Sequence, residues 1–117
     1  MTINRKVLIV ENSQSLSAIY SSYLIIDNYS VQMAHSLTEA RLKWKNFQPD
    51  FVFLDIELGD GNGLDLLSEI SDHENRAAVF VITGYGSDEH AAEAIRLGAK
   101  GYITKPIDPL SLGTVLL

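Results

Sequence analysis

The sequence predicts one α/β domain: a five-stranded parallel sheet, doubly wound, with helices on both faces. Three observations carry that expectation. Short apolar runs alternate with amphipathic stretches along the 117 residues, which is the repeat of a parallel sheet built with right-handed crossovers. The runs at 7–10, 51–54 and 78–82 are apolar at every position, as strands covered on both faces must be. Five such units suit the strand order 2-1-3-4-5.

In chain order, "KVLIV" (6–10) is the first strand. Residues 14–26 follow as a helix, with Leu16, Ile19, Tyr20, Tyr23 and Leu24 at the spacing of a buried face. "VQMA" (31–34) is a strand at one edge. The next helix, 37–47, opens at "SLTE", where Ser36 and Glu39 are set as a capping box. "FVFLD" (51–55) is the central strand, and a third helix follows Gly63 with Leu64, Leu66, Leu67 and Ile70. "AVFVI" (78–82) is the fourth strand; the helix after it starts at Ser87 and stops at Gly98, a residue suited to a left-handed C-terminal position. "GYIT" (101–104) closes the sheet. A fifth helix opens near Pro109 and has run two turns at Leu117, so the last helix is expected to be truncated. The single domain 1–117 then forms the N-terminal part of a longer protein.

Composition narrows the classes. A net charge of −6 argues against the basic face that nucleic-acid binding needs, so no direct nucleic-acid contact is expected of this domain. With no cysteine there is no disulfide framework and no thiolate zinc site, which fits a reducing cytoplasm. No stretch approaches the ~18 apolar residues of a membrane span. The expectation is a soluble cytoplasmic domain without membrane contact.

In open α/β sheets ligands bind beyond the carboxyl ends of the strands. Those ends carry Glu11 and Asn12, Asp55, Thr83 and Lys105. The assumed order puts Asp55 in the middle, acid and amide on one side, hydroxyl and ammonium on the other. Ala34 and His35 end the edge strand, away from the cluster. Two carboxylates and an amide oxygen form a hard-oxygen set that suits Mg²⁺. A threonine hydroxyl and a lysine ammonium suit a phosphoryl group, and an aspartate can itself accept one. The glycine clusters lead elsewhere less well. "GDGNG" is neither G-x-G-x-x-G nor a P-loop, and an EF-hand starting at Asp60 would put Leu64 and Ser71 where oxygen ligands belong. His35, His73 and His90 lack zinc spacing and are expected in solvent.

The acidic position after "VLIV", "FVFLDIEL" with its following glycines, "VFVITGYGS" and "AIRLGAKGYITKP" occur in this order. Together they make the chain resemble the receiver domain of two-component response regulators, over essentially its whole length. The resemblance implies the flavodoxin-like (βα)5 fold and a phosphoacceptor switch that catalyses only its own phosphoryl transfer, not an enzyme. It also implies roles: Asp55 as phosphoryl acceptor, Lys105 and Thr83 on the phosphoryl group, and Mg²⁺ held by Glu11, Asn12, Asp55 and the backbone carbonyl of Glu57. Thr83 and Tyr102 match the switch pair, and the Lys105–Pro106 peptide matches one that is usually cis. Implied partners are a histidine kinase or histidine phosphotransfer protein, an output domain outside this chain, and a second copy through the face of strands and helices four and five. "TGYGSDEHAAEAIRLGAKGYITKPIDPLSL" looks most like receivers that precede sigma-54 activators, including quorum-sensing regulators of the Lux type.

Two positions depart from the family pattern. Asn12 stands where the resemblance implies a second aspartate. It brings no charge, and unit charges ~4 Å apart interact by roughly 4 kcal/mol at an effective dielectric of ~20, so weakened Mg²⁺ binding is expected. Asn12 is also a good helix cap, as is Ser13. The same loss of charge favours an alternative function, a degenerate receiver that acts as a phosphorylation-independent interaction module. Gly59 replaces a common proline and should loosen the "ELGDGNG" loop. Gly84 and Gly86 give the loop after Thr83 its freedom, while Glu57 and Tyr85 flank the site and should tune the lifetime of the phosphate.

Overall fold

The computed structural model describes residues 5–73, 77–84 and 88–116. Tyr85, Gly86 and Ser87, assigned above to the loop after Thr83 and the next helix start, lie outside them. The elements are β1 (Lys6–Val10), α1 (Gln14–Ile26), β2 (Ser30–Ala34), α2 (Leu37–Phe47), β3 (Phe51–Asp55), α3 (Gly63–Ser71), β4 (Ala78–Thr83), α4 (Asp88–Arg96), β5 (Gly101–Thr104) and α5 (Leu112–Val115). A 3₁₀ turn, Pro109–Ser111, leads into α5, and Glu57–Leu58 pairs antiparallel with Gly61–Asn62 in the loop after β3.

The strands form one parallel sheet in the order β2-β1-β3-β4-β5. β3 is buried at all five positions and β1 at four of five. Side-chain alternation divides the core in two. Leu8, Val52, Leu54, Val79 and Val81 face Leu37, Trp44, Leu66, Leu67 and Ile70 of α2 and α3. Val7, Ile9, Phe51, Phe53 and Ile82 face Tyr20 and Leu24 of α1, with Leu112 of α5.

Helix ends follow local chemistry. Ser13 Oγ accepts from the Leu16 amide at 3.2 Å and Ser36 Oγ from the Glu39 amide at 3.1 Å. The capping role open to Asn12 therefore belongs to Ser13. Gly98 sits at φ +109°, the left-handed position expected after α4. α1 departs from its predicted face: Ile19 and Tyr23 are 45% and 37% exposed, while Ser17 and Ser21 are buried with Tyr20 and Leu24. Ser17 and Ser21 share the inner face with Tyr20 and Leu24, and Ile19 and Tyr23 turn outward.

One glycine sets the start of α3 against the end of β3. A Cβ on Gly63 would stand 2.4 Å from the carbonyl oxygen of Asp55, and the Gly63 amide donates to the Ile56 carbonyl at 2.7 Å. At Gly59 a Cβ would meet nothing within 4 Å. Gly63→Ala should therefore cost about 1–3 kcal/mol of stability, and Gly59→Ala less than about 0.5 kcal/mol. Urea unfolding of the two variants measures the difference; equal costs would contradict this packing.

Candidate phosphoryl-acceptor site

Glu11 and Lys105, one residue beyond their strands, and Asp55, the last of β3, continue the alternation of the α1/α5 face, so the three side chains converge. Lys105 Nζ donates to Glu11 Oε1 at 2.5 Å and to Asp55 Oδ2 at 2.8 Å. The Glu57 amide donates to Asp55 Oδ1 at 3.0 Å. Glu11, Asp55 and Thr83 are all buried, and the Lys105 amide is fixed by the Thr83 carbonyl at 2.8 Å. The Lys105–Pro106 peptide is cis. Above Asp55 lies an open cleft of about 230 Å³, lined by Glu11, Asn12, Asp55, Glu57, Gly84 and Lys105 among others.

Charge in this cluster is unevenly balanced. Burial of Glu11, then its contact with Asp55, raises the Glu11 carboxyl from its ordinary 4.5 to about 7, against the opposing pull of Lys105. Burial disfavours the Lys105 ammonium too, but hydrogen bonds to Asp55 and then Glu11 outweigh it and hold its pKa above the ordinary value. Glu11 Oε2 is buried without a hydrogen-bond partner. An orphaned carboxylate oxygen beside a second carboxylate fits a hard cation. No group of three or more His, Cys, Asp or Glu side chains among the described residues is placed to hold a metal. Asn12, exposed on the cleft wall, adds an amide rather than a carboxylate beside Glu11 and Asp55.

The scan against family models matches residues 7–116 to the response regulator receiver domain. The chain belongs to that family. This receiver domain is 31% identical over 105 residues to the acid tolerance regulatory protein ActR of Sinorhizobium medicae, covering 90% of this chain and 54% of ActR. It thus spans about half the length of that relative. Among solved structures it is similar to the signal receiver domain of a protein assigned as a LuxO repressor from Vibrio parahaemolyticus, with TM-score 0.91 and 29% identity over 97% of this chain and 88% of that one. It is also similar to a response regulator from Burkholderia pseudomallei, with TM-score 0.90 and 27% identity over 97% of this chain and 67% of that one. Among the described residues no helix is long and apolar enough to cross a membrane.

The receiver's other candidate residues are distributed as follows. Val81 pairs with Tyr102 and Thr83 with Thr104, so Thr83 and Tyr102 share the sheet face opposite the Glu11–Asp55–Lys105 cluster. Tyr20, expected only as core, lies buried beneath the cluster, and burial raises its phenol pKa. His35, expected in solvent, and Asp60 both make bonds to backbone groups. His35 is partly buried, and its Nδ1 donates to the Glu11 carbonyl at 3.0 Å. Asp60 binds the Thr38 and Leu37 amides and the Thr38 hydroxyl, which lower its pKa to about 2. The loop after β3, expected to be loose at Gly59, is thus tied to α2.

Glu11 binds its proton more tightly in the folded chain than in the unfolded one. Its contribution to stability is therefore complete below pH 4.5 and is lost as the pH climbs through about 7. Urea unfolding of the metal-free receiver should show stability falling across that window, and Glu11→Gln should flatten the fall. An identical pH slope in both proteins would contradict this assignment.

Proposed function

We propose that this receiver is a phosphoryl-accepting switch with Asp55 as the acceptor. The observation that carries this reading is the pair of buried carboxylates sharing the Lys105 ammonium, with Asp55 at the floor of an open cleft. A phosphohistidine on a histidine kinase or phosphotransfer protein supplies the phosphoryl group. An Asp55 carboxylate oxygen attacks phosphorus as the P–N bond breaks; the electron pair leaves with the imidazole, and the product is an aspartyl phosphate. Lys105 moves its hydrogen bonds from Asp55 to a phosphoryl oxygen, and Thr83 binds another. Glu11, Asp55, the Glu57 carbonyl and the Asn12 amide oxygen would hold Mg²⁺, which when bound offsets negative charge on the carboxylates and the phosphoryl group. The similar Burkholderia pseudomallei regulator carries a phosphorylated aspartic acid and a calcium ion, which supports the same chemistry here.

The donor must reach Asp55 over a mixed rim. Leu16 and Lys105 line both the cleft and an adjoining apolar groove of about 310 Å³, formed with Ile19, Tyr20, Pro106 and Ile107. The donor protein therefore meets an apolar flank on α1 beside the charged floor. Once phosphorylated, Asp55 draws Thr83 inward and Tyr102 follows on the same face, changing the surface of β4, β5, α4 and α5. That surface contacts a second receiver or an output domain, transcriptional as in the regulators this chain resembles.

A second reading has one observation in its favour. Asn12 puts an uncharged amide on the cleft wall, and a receiver that binds metal poorly can serve as a phosphorylation-independent interaction module.

Incubation with acetyl phosphate across a Mg²⁺ titration, followed by intact mass, separates the two. The switch predicts one metal-dependent phosphoryl group, absent in Asp55→Ala, with a Mg²⁺ midpoint lowered several-fold by Asn12→Asp. No added group at saturating Mg²⁺, and no binding of the stable mimic beryllofluoride, would support the interaction module instead.

A further inference from the structure

Asp60 sits at the tip of the acceptor loop, yet its carboxylate is bound to another element. Oδ1 accepts from the Leu37 amide at 2.7 Å; Oδ2 accepts from the Thr38 amide at 3.0 Å and the Thr38 hydroxyl at 2.7 Å. The Glu39 amide of the same helix turn is already taken by Ser36, so α2 has a cap of its own. Beside Asp60, a Cβ on Gly61 would stand 2.6 Å from Leu37 Cδ2, which shows how closely the loop lies on α2. The same turn reaches the other acidic loop. The Glu11 amide donates to the Ala34 carbonyl at 3.0 Å, and His35 Nδ1 donates to the Glu11 carbonyl at 3.0 Å. Residues 34–38 therefore bond to the loop that carries Glu11 and to the loop that carries Glu57.

We propose that Asp60 is a positioning residue for phosphoryl acceptance: it clamps the acceptor loop to the N-terminus of α2 and so holds the Glu57 amide on Asp55. The proposal rests on the reading of Asp55 as acceptor. Two carboxylate oxygens bound to consecutive amides fix orientation as well as distance, and a helix N-terminus favours the negative charge. The clamp supplies a restraint that Gly59 does not. It also sets the position of the Glu57 backbone, whose carbonyl is assigned to the metal. Loss of a restraint of this kind should slow the reaction more than it lowers stability, because small misplacements of reacting groups are costly.

Ser36→Ala is the matched control, since it removes the other cap of α2 without removing a bond to the acceptor loop. Both Ser36→Ala and Asp60→Ala should lower the melting temperature. In the metal-free protein, only Asp60→Ala should speed amide hydrogen exchange at Glu57, by about tenfold or more. With acetyl phosphate as donor, Asp60→Ala should also slow phosphorylation by about tenfold and raise its Mg²⁺ midpoint. Asp60→Asn, which keeps one acceptor oxygen, should show smaller changes in the same direction, and it decides the matter if the alanine variant does not fold. Asp60 variants that match Ser36→Ala in Glu57 exchange, rate and Mg²⁺ midpoint would overturn the proposal. If the wild-type chain takes no phosphoryl group, the acceptor reading fails, while Glu57 exchange still tests the clamp.

Discussion

Two buried carboxylates share one ammonium at the carboxyl end of the sheet, and most of the molecule's functional geometry depends on that arrangement. Glu11 and Asp55 repel each other and are both removed from water, a combination that is costly unless a cation compensates. Lys105 provides that cation from the far side of the sheet, through hydrogen bonds of 2.5 and 2.8 Å. The compensation is incomplete. One positive charge faces two negative ones, the Glu11 carboxyl is raised to about 7, and Glu11 Oε2 is left without a partner. The excess in this cluster is negative, which favours a cation.

The sheet order explains why residues so far apart in sequence meet. β1 and β3 are neighbours, and β5 lies beyond β4, yet the Lys105 side chain spans the end of β4 to reach both acids. Its amide is tied to the Thr83 carbonyl, which joins the ends of β4 and β5 beside the cluster. Thr83 and Tyr102 share one face of the sheet. Asn12 alters the starting balance, because the chain begins with one carboxylate fewer to compensate.

Much of this was legible in the sequence, for identifiable reasons. All-apolar runs such as 51–54 can only be central strands, and the polar residues that end them necessarily collect at one edge of a parallel sheet. The convergence of Asp55, Glu11 and Lys105 follows from that, while Thr83 turns to the opposite face. The inner face of α1 does not follow, because its apolar residues span too wide an arc. Ser17 and Ser21 face inward where Ile19 and Tyr23 were expected. His35 and Asp60 were missed for another reason. Their partners are the backbone groups of Glu11, Leu37 and Thr38, which carry no side-chain signature. Such contacts depend on loop conformation and are invisible to residue type and spacing.

The central claim is that Lys105 holds the folded, metal-free domain together against its own buried acids. Urea unfolding of metal-free wild type and Lys105→Met at neutral pH, repeated in saturating Mg²⁺, tests it most directly. Breaking a buried ion cluster should cost about 3 kcal/mol without metal, and Mg²⁺ should return a large part of that loss. Equal stability of the two proteins without metal, or a deficit that Mg²⁺ leaves untouched, would contradict it.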